Sequence, residues 1–241
     1  MVRTGFAARS DVGRIRAGNE DRYLARPPVF AVADGMGGHL AGEVASALAI
    51  DVLELAASSE PDRTDSRTIV DALERSNAAI LAEARRRPEL EGMGTTCTVV
   101  VVSESEIHIG HVGDSRAYRF RSGRLEQLTQ DHSLVATLVR DGVIGPDDAV
   151  TDGRRHVITR ALGADDHVEV DVVASAVSPG DRLLLCSDGL SGQVPDEAIA
   201  AVLASEPDPG RAVDRLIGLA NAAGGDDNVT VIVIDPIPSG S

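Results

Sequence analysis

Apolar positions along this chain fall into two kinds of run. Short, β-branched stretches at 29–33, 95–103, 106–112, 116–120, 168–174, 182–186 and 229–234 predict strands, and 5–10 is a weaker candidate. Apolar residues recurring every three or four positions predict two long helices, at about 41–57 and 67–87, and two shorter ones at about 196–204 and 209–222. The stretch 129–163 breaks both patterns. It is polar and holds Gly142, Gly145, Pro146 and Gly153, so it predicts a surface insertion with one short helix near 134–140. Residues 58–66 predict a surface loop, and the chain after Ile234 a frayed end. Strands cluster in hairpin-like succession in the middle, with helix pairs before and after. That grouping predicts antiparallel sheet covered by helices, an α+β domain over 1–241, rather than alternating βαβ units.

Composition narrows the chemistry. A 43% hydrophobic share with 2% aromatics and no Trp requires a core of Val, Leu, Ile and Ala. Every basic side chain other than His is Arg; Lys is absent. A Walker A loop, a protein kinase and a Schiff-base enzyme each need a Lys, and all three are excluded. The formal net charge of -15 repels phosphate backbones, so no nucleic-acid partner is expected, while an acidic surface suits metal cations and basic protein segments. The two cysteines, Cys97 and Cys186, lie in separate apolar runs, which predicts buried free thiols and no zinc knuckle. No run is apolar for long enough to span a membrane and residues 1–4 carry no apolar signal core, so a cytoplasmic location is expected.

The positions of the aspartates carry the functional signal. The predicted strand 29–33 runs into Asp34-Gly35, the strand 106–112 into Gly113-Asp114, and the strand 182–186 into Ser187-Asp188-Gly189. Conversely, Gly224-Gly225-Asp226-Asp227-Asn228 leads into the strand 229–234. Strand ends meet at the rim of a sheet, and Asp beside Gly lets the backbone turn and approach a ligand. Carboxylates gathered there repel unless a cation neutralises them, and oxygen donors select Mg²⁺, Mn²⁺ or Ca²⁺. Any one Asp-Gly is equally a turn; the set points to a metal site. His108 and His111, three apart on a strand, face opposite ways and cannot chelate one ion. His132, His156 and His167, in or near the polar insertion, are expected on the surface.

Six motifs then occur in order: Arg16-Ala17-Gly18-Asn19-Glu20-Asp21, Asp34-Gly35-Met36-Gly37-Gly38-His39, Gly94-Thr95-Thr96, Gly113-Asp114-Ser115-Arg116, Ser187-Asp188-Gly189 and Gly225-Asp226-Asp227-Asn228. Together they resemble the protein phosphatase 2C family of metal-dependent Ser/Thr protein phosphatases, in particular bacterial single-domain members that oppose Hanks-type kinases. The resemblance implies a central β-sandwich of two antiparallel sheets flanked by helix pairs, with a flap at about 129–163. It implies that Asp34 bridges two Mn²⁺ or Mg²⁺ ions, with Gly35 offering its carbonyl and Asp188 and Asp227 completing the first metal. Glu20 and Asp21 act through waters or as a second shell, Asp114 matches a ligand of a third metal shared with Asp188, and Arg16 matches the residue that grips phosphate. Met36 stands where eukaryotic members have His. His39 is therefore open to three roles: proton donor, positioning group, or a packed residue at a helix start. The implied partners are phosphorylated proteins, Ser/Thr kinases and their substrates among them. Two alternatives are a phosphatase acting on an anti-sigma antagonist and an inactive metal-binding scaffold. The chain lacks the Cys-x₅-Arg loop of tyrosine phosphatases and the Asp-x-Asp of aspartyl-phosphate enzymes, so no covalent protein intermediate is required.

Overall fold

A computed structural model describes residues 3–59 and 65–237. Two five-stranded antiparallel sheets dominate it. One runs, from edge to edge, β1 (Arg3–Asp11), β12 (Val229–Ile237), β11 (Arg182–Cys186), β8 (Arg116–Arg121) and β9 (Arg124–Gln127). The other runs β10 (Asp171–Ala176), β7 (Glu106–Val112), β6 (Cys97–Val102), β3 (Val29–Ala33) and β2 (Arg22–Arg26). A two-stranded ladder, β4 (Gly35–Met36) with β5 (Gly94–Thr95), continues past the end of β3.

The central strands β3, β6 and β11 are apolar on both faces because both faces are covered. On β3 and β6, Phe30, Val32, Val100 and Val102 point between the sheets, where they meet Leu183, Leu185, Ile232 and Ile234 from β11 and β12. The alternate residues, Ala31, Ala33, Val99 and Val101, face helices α1 (His39–Ser59) and α2 (Ser66–Arg86). On the opposite outer face, Leu184, Val231 and Val233 pack under α5 (Asp188–Ser191), α6 (Asp196–Ser205) and α7 (Pro209–Ala223). The period of two along each strand thus separates three apolar layers, and the α–β–β–α sandwich expected from the sequence is present. Both thiols, Cys97 and Cys186, are buried and free.

Helix starts follow local chemistry. Asp65 accepts the Thr68 N–H at the head of α2, and Asp208 accepts the Arg211 N–H ahead of Pro209 in α7. No helix among the described residues is long and apolar enough to cross a membrane.

Four expectations are corrected. Strands β2 and β9, rich in Arg and Glu, go unpredicted because each is an edge strand whose outer face is charged. The chain does not fray at Ile234: β12 continues to Ile237, pairing Pro236 with Thr4. Its pairing with β11 ends at Ile234, so the missing N–H of Pro236 faces no neighbour there. The third correction concerns Asp188, which opens the four-residue helix α5 rather than a turn. Finally, 129–163 is not wholly superficial. It carries α3 (Leu134–Arg140) and α4 (Pro146–Thr151), but Thr129, His132, Ser133, Ala161 and Leu162 are buried. Leu162 exchanges backbone hydrogen bonds with Thr95, which ties the end of the segment to β5. Residues 60–64 and 238–241, within the expected loop and tail, lie outside the described residues.

Candidate active site

Four elements of the two sheets end at one rim and deliver carboxylates there. Asp34 follows β3, and its backbone is fixed from both sides. Its N–H donates to Thr96 Oγ1 (3.0 Å), and its carbonyl accepts from the Thr96 N–H and the Thr95 hydroxyl, each at 2.9 Å. Asp114 follows β7 through Gly113, which has φ +108 and lies against Thr96; a Cβ there would come within 2.5 Å of the Thr96 side chain. Asp188 follows β11 and Asp227 precedes β12.

Asp21, just before β2, is buried. The loop 12–20 lies across this rim. Asn228 clamps it: its side-chain amide donates to the Val12 and Gly18 carbonyls, and its oxygen accepts the Glu20 N–H, at 2.8–2.9 Å. Gly13 sits so close to Asp227 that a Cβ would come within 2.2 Å of its carbonyl oxygen. The Gly35 backbone is pressed equally tightly against the Gly42 and Glu20 carbonyls, and a side chain on Gly42 would strike Glu20 Oε2. Asp34-Gly35, the head of α1 and Glu20 are therefore packed as one unit. His39 is the first residue of α1; its side chain lies outside the described residues.

The carboxylates feel one another. Burial first, then Asp21, Asp188, Asp114 and Asp227, pushes Asp34 well above the ordinary range. Burial likewise raises Asp21 to about 7, against hydrogen bonds from Thr230 and Ser187 that lower it, with Asp188 and Asp227 raising it further. Asp114 is raised to about 8, again by burial and then by Asp188. Asp188 is raised by burial and Asp227, and lowered by a hydrogen bond with Asp34 and by the charges of His156 and Arg16. One oxygen on each of Asp21, Asp114 and Asp188 is buried without a hydrogen-bond partner. Such groups are costly unless a cation meets them.

Among the described residues no three of these groups form a ready-made cage. Arg16 is a cation paired with them: its Nη2 donates to Asp227 Oδ2 at 2.7 Å. The unpartnered buried oxygens, the mutual repulsion and the all-oxygen donor set nevertheless fit hard divalent cations. Every predicted ligand, Glu20, Asp21, Asp34, Gly35, Asp114, Asp188 and Asp227, belongs to this rim, and Arg16 is beside it.

The chain resembles known proteins over nearly its full length. Residues 19–217 match the family described as Protein phosphatase 2C. The chain belongs to that family. Its fold and motifs are those of a bacterial Ser/Thr phosphatase domain. It is 44% identical to the serine/threonine protein phosphatase PstP of Mycobacterium tuberculosis over 96% of this chain, and spans 45% of that relative's length. Against the serine/threonine phosphatase stp of Listeria innocua it is 39% identical, covering 94% of each. The crystal structure of the PstP catalytic domain in complex with two manganese ions superposes with a TM-score of 0.91 at 43% identity, over 98% of this chain and all of that one.

Sequence reasoning missed His132. Rather than lying on the surface, it is 7% exposed and packs against His111, the rings tilted by 36° with centroids 4.8 Å apart. Its ring Nδ1 accepts the Gly113 N–H at 3.0 Å, its backbone N–H donates to the Gly113 carbonyl at 2.8 Å, and its ring Nε2 meets Asp171 Oδ2 at 3.1 Å. Arg160, near the other end of the flap, pairs with the same Asp171 at 2.6 Å. Two flap residues and an edge strand therefore brace the turn that presents Asp114. Polarity alone could not reveal this, because a satisfied buried His and an exposed one read alike in sequence.

Proposed function

We propose that this chain hydrolyses phosphoserine and phosphothreonine monoesters in proteins with the help of two bound Mn²⁺ or Mg²⁺ ions. Asp34, the Gly35 carbonyl, Asp188 and Asp227 are the residues that would hold them, with Glu20 and Asp21 behind, and Asp114 with Asp188 would hold a third. The observation that carries this reading is the rim of mutually repelling carboxylates with unpartnered buried oxygens on Asp21, Asp114 and Asp188. Bound there, the cations supply an acidified water as nucleophile and offset charge on the phosphoryl oxygens.

The chain's own residues do the rest. Thr96 and Thr95 hold the Asp34 backbone in place. Asn228 fixes the loop that presents Arg16. Arg16, 47% exposed and paired through one nitrogen, turns from Asp227 to fork onto two phosphoryl oxygens. Among the described residues both cysteines are buried and their thiols are pushed up to about 12 by burial, which leaves them unsuited to nucleophilic attack.

The substrates we infer are Hanks-type kinases and the proteins they phosphorylate. The test compares a phosphothreonine kinase activation loop, a phosphoserine anti-sigma antagonist and a phosphotyrosine peptide, each with Mn²⁺. Preference for the kinase loop supports the assignment. Preference for the antagonist moves the chain to a sigma-factor pathway. Release of phosphate from none of them contradicts the proposal.

A further inference from the structure

Asp21 is held in an unusual way for a carboxylate: two hydroxyls converge on one of its oxygens and none on the other. Thr230 Oγ1 donates to Asp21 Oδ2 at 2.7 Å and Ser187 Oγ donates to the same atom at 2.8 Å. Oδ1 is buried and has no partner. Thr230 and Ser187 are themselves buried and lock each other, since the Thr230 N–H donates to Ser187 Oγ at 3.0 Å.

The chain of donors extends outward. Ser10 on β1 is the register partner of Thr230 on β12, and their hydroxyl oxygens are 2.7 Å apart. With Asp21 ionised, the one proton of Thr230 is committed to the carboxylate, so Ser10 must donate to Thr230. Ser10 in turn accepts from Asn19 Nδ2 at 2.7 Å. The Asn19 amide cannot be reversed, because its Oδ1 accepts the Asp21 N–H at 3.1 Å. The result is a one-way series, Asn19 to Ser10 to Thr230 to Asp21, in which each donor is polarised by the one before it. It crosses from one sheet of the sandwich to the other, because Asp21 leads into β2 while Ser10 and Thr230 belong to the opposite sheet.

We propose that Thr230, backed by Ser10 and Asn19, is a positioning residue for divalent-cation binding: it fixes Asp21 by Oδ2 and so keeps Oδ1 free for the cation site. This rests on the metal-dependent reading above and adds residues that reading does not use. Partners behind a metal-binding carboxylate set its orientation, and their removal typically weakens metal affinity 10- to 100-fold.

The test is the Mn²⁺ dissociation constant of metal-stripped protein by titration calorimetry, with the metal-free melting temperature measured in parallel. Thr230→Val keeps the shape and deletes the donor; we expect binding weaker by about tenfold. Thr230→Ser restores the donor and should bind within about threefold of wild type, and Ser10→Ala should weaken binding by a smaller factor in the same direction. A purely structural hydroxyl would lower the melting temperature of Thr230→Val and leave its Mn²⁺ affinity unchanged. That outcome, in a wild type that remains a Mn²⁺-dependent phosphatase, overturns this inference and leaves the proposed function standing. If Thr230→Val fails to fold, Ser10→Ala carries the test, and unchanged affinity there refutes the series. A wild type that binds Mn²⁺ but releases no phosphate contradicts the proposed function instead.

Discussion

Arg16 is one of two parties to an ion pair that must break for the site to work as proposed. Burial acts to lower the pKa of its guanidinium, but the charge and hydrogen bond of Asp227, with Glu20 and Asp34 nearby, together raise it. Both side chains are partly exposed, so the pair is weak and easily exchanged. Arg16→Ala should therefore raise KM for a phosphopeptide by about tenfold, equivalent to about 1.4 kcal/mol, with a smaller loss in kcat. Mn²⁺ affinity should stay equal or improve, because Asp227 loses a competing cation. Steady-state kinetics and a Mn²⁺ titration of the variant check both halves; constant KM with collapsed kcat would place Arg16 in the transition state instead. Asp34→Asn, Asp188→Asn and Asp227→Asn should each lower kcat by at least about 100-fold, read at saturating Mn²⁺. Asp34, Asp188 and Asp227 stood out in the sequence because each lies within two residues of an apolar strand and of a glycine. Asp21's hydroxyl partners were not, since a Ser or Thr within a strand carries no mark of what it faces.

At the scale of elements, the flap depends on how its ends are tied. His132 spans the Gly113 turn, and Arg160 and His132 share Asp171 on β10. His132→Ala should leave the Gly113 N–H buried without an acceptor, at a cost of about 1–3 kcal/mol. A lowered urea midpoint with unchanged slope would show this; an unchanged midpoint would mean that solvent or a shifted neighbour replaces the ring. Strands β3, β7 and β11 were read from the sequence to the residue, since each is buried on both faces and β-branched or leucine-rich. The edge strands β2 and β9 were not, because their strand character comes from pairing with β3 and β8 rather than from their own composition. Helices α4 and α5, of six and four residues, are too short to show a helical period.

For the whole molecule, the sandwich gathers charge that it cannot neutralise alone. Without metal, Asp21 and Asp114 titrate at about 7 and about 8, against about 3.9 in an unfolded chain. Across neutral pH the folded state therefore holds protons that the unfolded state has released, so stability falls as pH rises. His111, lowered to about 4 by burial, acts oppositely only below about pH 6.5, the ordinary imidazole value. His132 is lowered by burial as well, so both imidazoles oppose the carboxylates around and below that pH, and between about pH 7 and 8 the carboxylates dominate. The melting temperature of EDTA-treated protein should fall across that window, and saturating Mn²⁺ should remove the fall by replacing the protons. A flat metal-free profile would mean that the carboxylates are more open to water, or further apart, than the structure places them. The layered architecture was legible from grouped strands and paired helices, and the gathering of Asp34, Asp114, Asp188 and Asp227 from their places beside strand ends, whereas the depth of their burial needed the tertiary structure. The most direct test of the central claim is turnover of a phosphothreonine peptide by metal-stripped protein titrated with Mn²⁺. No phosphate release without metal and saturable recovery with it is the predicted result; full turnover in the presence of EDTA would contradict the account.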